Sequence, residues 1–137
     1  MSTIDNKALV LRYAEEVFNR GEFAAISTYI DANYVRHDPG VPFPVQGCDG
    51  LQQLVAAYRT AFPDFHVQPV VVVANGDMVG IQWAASGTQR GELMGMPPTG
   101  RTFNVNTVEI FRLADGKIVE QWIVVDDSFL QQLSGAA

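Results

Sequence analysis

A chain of 137 residues, 47% hydrophobic and 18% charged, has the size and composition of one globular domain. Its 15 acidic and 9 basic residues leave a net charge of -6, which opposes the phosphate neutralisation on which nucleic-acid affinity depends. The apolar runs are only strand length, the start MSTIDNKALV lacks the basic and apolar regions of a signal peptide, and Cys48 is the single cysteine. A cytoplasmic protein with no nucleic-acid and no membrane partner is expected, as a single domain over residues 1–137.

From residue 5 to 20, Val10, Tyr13, Ala14, Val17 and Phe18 recur at the spacing of one helical stripe, and Gly21 ends the pattern. A shorter helix is predicted from Glu22 to about Tyr29, with Phe23, Ile26 and Ile30 inward. Asn33 to His37 reads as a short strand, and DPGVPFP from Asp38 to Pro44 is too rich in proline for regular structure. Asp49, with Gln52 three residues later, is a capping-box signal that starts a third helix near Gly50. Leu51, Leu54, Val55, Tyr58 and Phe62 form its buried stripe, and Pro63 stops it.

Every later segment has a strand signature: Phe65 to Ala74, Met78 to Gln89, Thr102 to Leu113 and Lys117 to Val125. Asn75-Gly76 and Asp115-Gly116 are tight-turn dipeptides, so two hairpins follow. GELMGMPPTG connects them, its two prolines unable to donate to a ladder. A last helical turn or two is predicted from Asp127 to Leu133, capped by Asp126 or Asp127. Helices followed by antiparallel strands define an α+β domain: a curved antiparallel sheet wrapped around N-terminal helices, cone-shaped with an apolar cavity open to a ligand.

Residues 101–126 are the centre of this pattern. On the first strand Phe103, Val105, Thr107, Glu109 and Phe111 share one face, which sets a carboxylate among apolar neighbours. On the return strand Gln121, Ile123 and Val125 share one face, and Ile118, Glu120, Trp122 and Val124 the other. Both faces of the hairpin are mostly apolar, so both are expected to be covered, within a wrapped sheet or at a subunit interface.

Most catalytic signatures are missing. Gly91, Gly95 and Gly100 lack the lysine and the context of a phosphate loop, and His37, His66 and Cys48 are too few for a nitrogen or sulfur metal site. Neither Ser86 nor Ser128 has a base or an elbow turn. Cys48 reads as a bystander, His66 as solvated and Asp64 as a turn residue. What remains is proton transfer. Glu109 is either a general base in a water-poor cavity, its pKa raised by desolvation, or a carboxylate turned to solvent or paired with Arg112 or Arg101. His37, before the proline loop, either serves a substrate carbonyl or bonds its own loop through Asp38. Trp83 reads first as core and second as a pocket wall.

RHDP at 36–39, AFPDF at 61–65, GTQRGELMGMPPTGR at 87–101, FRLADGKIVEQW at 111–122 and the QQL of the tail together resemble the SnoaL-like polyketide cyclases. These belong to the superfamily of nuclear transport factor two and ketosteroid isomerase. The resemblance implies a cone with an apolar cavity, assembled as a homodimer or homotetramer. It also implies ring closure by an intramolecular aldol reaction without metal, cofactor or covalent intermediate. In those cyclases the reaction depends on an aspartate just after the pair matching Gln121-Trp122, and that position is Ile123 here. A histidine that helps them falls at Glu109. The resemblance turns both positions towards the cavity.

The expected function is cofactor-free acid/base chemistry, as enolisation, isomerisation or aldol-type cyclisation, on a hydrophobic carbonyl compound. Glu109 would abstract the proton and His37 would polarise or reprotonate the oxygen. Phe43, Phe62, Trp83, Met94, Phe111 and Ile123 would wall the pocket, with Gln121 on the same face. Two alternatives stand beside it, so enzyme status stays open. One is a non-catalytic binding protein for an apolar small molecule, for which Ile123 argues. The other is epoxide-hydrolase-like water activation, which needs a carboxylate and arginine ensemble drawn from Arg36, Arg90, Arg101 or Arg112.

Overall fold

Three helical segments precede most of the sheet. The computed structural model describes residues 3–126 and 128–135. Helix α1, Thr3–Tyr13, runs directly into a π-helical segment, Ala14–Asn19, whose wider turn is closed by the Arg20 amide donating to the Glu15 carbonyl five residues back. Tyr13 and Phe18, also five apart, meet edge-on with ring centroids 5.9 Å apart. A 3-10 turn, Phe23–Ala25, leads into the single-turn helix α2, Ile26–Tyr29. Strand β1, Ile30–His37, and the two-residue β2, Val45–Gln46, flank the proline loop.

Helix α3 spans Gly47–Ala61 and starts three residues before the predicted point. Gly47, at φ 65°, turns the chain straight from β2 into the helix, so Gln46 is the N-cap and makes no side-chain cap hydrogen bond. Asp49 lies inside the first turn, where its charge suits the helix dipole without capping. The remaining strands are β3 (His66–Asn75), β4 (Met78–Thr88), β5 (Thr102–Ala114) and β6 (Lys117–Val125), followed by α4 (Ser128–Ser134). The second hairpin turns at Asp115-Gly116, with φ of 52° and 77° as a two-residue turn between twisted strands requires. In the first, Asn75 still pairs with Met78, so the turn falls one residue late, on Gly76-Asp77. The Asp126 carboxylate accepts from the Ser128 amide at 2.9 Å before α4, and Asp127 lies outside the described residues.

The six strands lie in the order β2-β1-β6-β5-β4-β3. All neighbours are antiparallel except β1 and β6, which run parallel. The β5–β6 hairpin is therefore central, with Glu109 opposite Ile123 and Phe111 opposite Gln121. One core lies between helices and sheet, where Val10, Val17, Leu51, Leu54 and Val55 meet Ile81 and Phe111, all essentially inaccessible. Each such side chain contributes roughly 1.5–3 kcal/mol by leaving water. A second core under the tail joins Phe62, Phe103 and Leu133.

Only one face of the hairpin is covered by the chain itself. On the outer face Val108, Ile110 and Val124 remain 50%, 43% and 68% exposed, and Val71 and Val73 extend the patch along β3. The expectation that both faces are covered therefore fails within a single chain, because all the described helices that pack on the sheet bury its inner face. Among the described residues, no helix is long and apolar enough to cross a membrane.

Candidate active site

A cavity of about 640 Å³ opens between the inner sheet face and the helices, within the range of small-molecule pockets. Phe103, Val105, Thr107, Glu109 and Phe111, five of the six odd-numbered residues of β5, line it, because strand side chains alternate. Trp83 from β4 and Ile123 and Val125 from β6 continue that wall. Tyr13 at the end of α1 and Phe18 of the π-helical segment close one side, and Tyr58 another from α3. Leu130 of α4, 56% exposed, marks the rim.

The loop of residues 89–101 supplies Leu93, Met94 and Met96. Buried Gln89 holds it in shape: its amide donates to the Pro97 carbonyl at 3.1 Å and accepts from the Thr99 hydroxyl at 3.0 Å. These bonds replace the ladder contacts that the prolines cannot make. Met94 takes φ 47°, a conformation rare for a residue with a side chain. Methionines in such a wall can adapt to irregular ligand shapes.

The polar part of the cavity is built from β1. Arg36 and, just past the strand, Asp38 line it from alternate positions, their side chains only 3% and 4% exposed, while Tyr34, two residues earlier, is wholly buried behind them. The Arg36 Nε donates to Asp38 Oδ2 at 3.1 Å, while its Nη1 lies 3.7 Å from Glu109 Oε1. One guanidinium thus sits between two carboxylates, with its face 5.9 Å from the centre of the Phe18 ring. Glu109 also accepts a hydrogen bond from the Gln121 amide, whose oxygen accepts from the Tyr34 hydroxyl at 2.6 Å. Asp38 folds the loop back on itself, its Oδ1 accepting from the Gly40 amide at 3.1 Å.

Burial raises the pKa of Glu109, and this desolvation outweighs the downward pull of the Arg36 guanidinium and the Gln121 amide. Desolvation also works against the Arg36 charge, but the oxygens of Tyr34, Glu109, Tyr13 and Asp38 more than offset it, so Arg36 stays cationic. Burial pushes the Tyr13 and Tyr34 hydroxyls well above their ordinary value and Tyr58 up to about 12. These phenols keep their protons near neutral pH. Among the described residues, three buried side-chain polar atoms lack a protein hydrogen-bond partner: Tyr13 Oη, Arg36 Nη1 and Trp83 Nε1. All three residues line this cavity beside Glu109. For two of them Glu109 is itself the nearby acceptor: Arg36 Nη1 lies 3.7 Å from its Oε1, and the Trp83 N–H helps to hold the carboxyl pKa down.

A raised carboxyl pKa has a sign in stability. Folded Glu109 binds its proton more tightly than unfolded Glu109, so its favourable contribution is full below the unfolded pKa and is lost as pH rises through the folded value. Glu109→Gln is therefore expected to gain melting temperature relative to the wild type between about pH 4 and about pH 8. A difference that stays constant over that range would show that Glu109 does not titrate anomalously.

The other expected site residues divide clearly. Glu109, Trp83, Met94, Phe111 and Ile123 are brought together in the cavity wall. His37 is not: it alternates with Arg36, so it points to the outer face, 46% exposed. There its Nε2 lies 2.7 Å from Glu120 Oε2 and its ring stacks on Trp122, centroids 5.4 Å apart. His37 therefore takes no part in the cavity. Arg112 also pairs outside, with Glu120 at 3.0 Å, rather than with Glu109. Phe43 packs half-buried against the core while Pro39, Val41 and Pro42 of its loop face the cavity instead. Phe62 stands behind the wall, edge-on to Phe103 at 4.9 Å. Gln121 is fully buried behind Glu109. Cys48 lies far round the sheet edge with its thiol towards the Ile30 carbonyl at 3.5 Å. Among the described residues, no group of three or more His, Cys, Asp and Glu side chains is placed to hold a metal ion.

Helices capping a curled sheet, with a buried carboxylate and guanidinium inside an otherwise apolar hollow, define an α+β cone with a cavity of small-molecule size. The chain belongs to the SnoaL-like polyketide cyclase family, whose model matches residues 8–133. It is similar to aklanonic acid methyl ester cyclase DnrD of Streptomyces peucetius, 28% identical over 115 residues that cover 80% of this chain and 77% of that one. Among solved structures, a protein assigned to the SnoaL-like polyketide cyclases from Jannaschia sp. CCS1 superposes with a TM-score of 0.86 at 25% identity, covering 98% of this chain and 95% of that one. AclR of Streptomyces galilaeus, assigned as a hydroxylase, superposes with a TM-score of 0.82 at 29% identity, over 99% of this chain and 84% of that one.

Proposed function

We propose that the protein is an acid/base catalyst that needs no cofactor and enolises a hydrophobic carbonyl compound, leading to ring closure or isomerisation. The observation that carries this reading is Glu109, a desolvated carboxylate with a raised pKa facing an apolar cavity. Glu109 takes a proton from the carbon next to a carbonyl. Tyr13 Oη, Arg36 Nη1 and Trp83 Nε1 supply donors for the carbonyl oxygen as it gains negative charge, the part expected of His37. In a cyclisation the enolate carbon attacks a second carbonyl, and the proton held by Glu109 passes to the new alkoxide. The cyclase activity named for DnrD supports this direction.

The test is exchange of the α-proton of an aromatic β-keto ester in deuterium oxide, followed by proton NMR. Enzyme-accelerated loss of the signal is expected. Saturable binding of the ester with exchange no faster than in buffer would favour a binding protein instead, the alternative that Ile123 suggests.

A second reading has one observation in its favour. Asp38, Arg36 and Glu109 form the carboxylate and arginine ensemble that activation of water against an epoxide requires, the water adding to one carbon as the ring C–O bond breaks and the ring oxygen takes up a proton. Incorporation of oxygen from labelled water into product would separate this route from enolisation, which leaves the oxygen count unchanged.

The uncovered outer face favours a second copy of the chain as its partner. Its valines and isoleucine are flanked by the oppositely charged Arg112 and Glu120, a mixture that a two-fold axis can match to itself. Val124→Lys is expected to shift the protein towards monomers in light scattering, and an unchanged mass would move the interface elsewhere. Nothing in this reading calls for nucleic acid or a membrane, and it suits a cytoplasmic small-molecule enzyme.

A further inference from the structure

We propose that Tyr34 is a positioning residue for Glu109 and acts through Gln121, its hydroxyl fixing which end of the Gln121 amide meets the carboxylate. The functional weight of this rests on Glu109 being the base, but the relay itself can be tested without substrate.

Three neighbouring strands contribute one member each. Tyr34 comes from β1, Gln121 from β6 and Glu109 from β5, with Arg36 paired to Gln121 and Phe111 to Gln121 in the two registers. Tyr34 and Gln121 are wholly inaccessible and neither faces the cavity, so neither can touch a ligand. Their hydrogen bonds run one way: the Tyr34 hydroxyl donates to Gln121 Oε1, and Gln121 Nε2 donates to Glu109 Oε1.

A glutamine amide has almost the same shape when turned round, but the opposite chemistry. Reversed, it would set its oxygen against Glu109, an arrangement that only a protonated carboxyl can satisfy. Tyr34 decides between the two. Its hydroxyl is buried beside Arg36, a group with donors only, so its own proton needs the amide oxygen as acceptor. That leaves the N–H for Glu109 and favours the ionised base against the desolvation that opposes it. The other charged or titratable groups facing Glu109 are Arg36 and Asp38 from β1 and its loop, Tyr13 from the first helix and Tyr58 from α3. None of them depends on the amide's orientation.

The experiment follows the Glu109 carboxyl by carbon-13 NMR in protein labelled at the glutamate side-chain carboxyl, with Glu109→Gln to assign its signal. Tyr34→Phe, which removes only the hydroxyl, is expected to raise the titration midpoint by about one pH unit. Gln121→Leu is expected to raise it at least as far, and adding Tyr34→Phe to that variant is expected to change nothing more. In a turnover assay the acid limb of the pH profile moves up with the midpoint, and activity recovers at high pH. An unchanged midpoint in Tyr34→Phe, or additive shifts in the double variant, would overturn the proposal. If Tyr34→Phe does not fold, an unchanged midpoint in Gln121→Leu overturns it alone. A midpoint that moves while turnover does not follow it upholds the relay and removes Glu109 from the role of base.

Discussion

Replacing Glu109 by glutamine is expected to cut kcat by about 10²–10⁴-fold, the usual range for loss of a general base. The amide keeps the length and shape of the side chain and can still take up the Gln121 N–H, so the wall of the cavity should survive. It cannot accept a proton from carbon. Binding of a substrate analogue should change little, because the apolar wall from Trp83 to Ile123 supplies most of the contact surface. A loss in kcat with KM nearly constant is the expected pattern. If Glu109→Gln keeps more than a tenth of the wild-type kcat, the proton is taken elsewhere, with Asp38 the nearest remaining carboxylate to Arg36.

Arg36→Met should produce the largest loss of stability, about 3–5 kcal/mol, because it leaves buried carboxylates without their counter-charge. Asp38 loses the donor at 3.1 Å and Glu109 the cation at 3.7 Å. Methionine fills similar volume, so the loss reports charge rather than a cavity. The pH dependence separates the two. Without the guanidinium, which pulls the Glu109 pKa down, that folded pKa rises further, so the penalty shrinks as pH falls and Glu109 takes up its proton. Urea unfolding at about pH 5 and about pH 8 should show a clearly smaller deficit at the lower pH. A deficit equal at both would point to packing. Lysine is expected to rescue only in part, since one ammonium cannot reproduce the separate Nε and Nη1 contacts.

The sheet was legible in the sequence because alternation is strict where one face is buried. Residues 103–111 declared their inward face, and the position of Glu109 on it followed. The polar site was half legible. His37 drew attention as the residue type suited to proton transfer near neutral pH, yet the same alternation that placed Glu109 inward places His37 outward. The informative residues were its neighbours, since in RHD the arginine and aspartate share a face at positions 36 and 38. Which cation would reach Glu109 could not be read locally, because β1 and β5 meet only through β6. Tyr13 belongs to the helical stripe that periodicity predicts, but the π-helical segment that follows it carries no pattern distinct from an ordinary amphipathic helix. Phe62 is buried as its periodicity requires, but the second core under α4 takes it up, so it backs the cavity wall instead of facing the cavity.

The parallel pairing of β1 with β6 has a consequence for how the molecule assembles. Tyr34 and Gln121 are 87 positions apart, and the chain between them contains the rest of the sheet. Closing so long a loop precedes any reward from the contact, which makes this pairing slow to nucleate. On a growing chain Arg36 is synthesised long before Glu109 and Gln121 exist to receive it. The hairpins of β3 to β6 are local and can form early, whereas docking of β1 completes the polar site and the sheet in the same event. Catalytic competence and the final folding step are therefore expected to appear together, and a refolding intermediate with native hairpins would still be inactive.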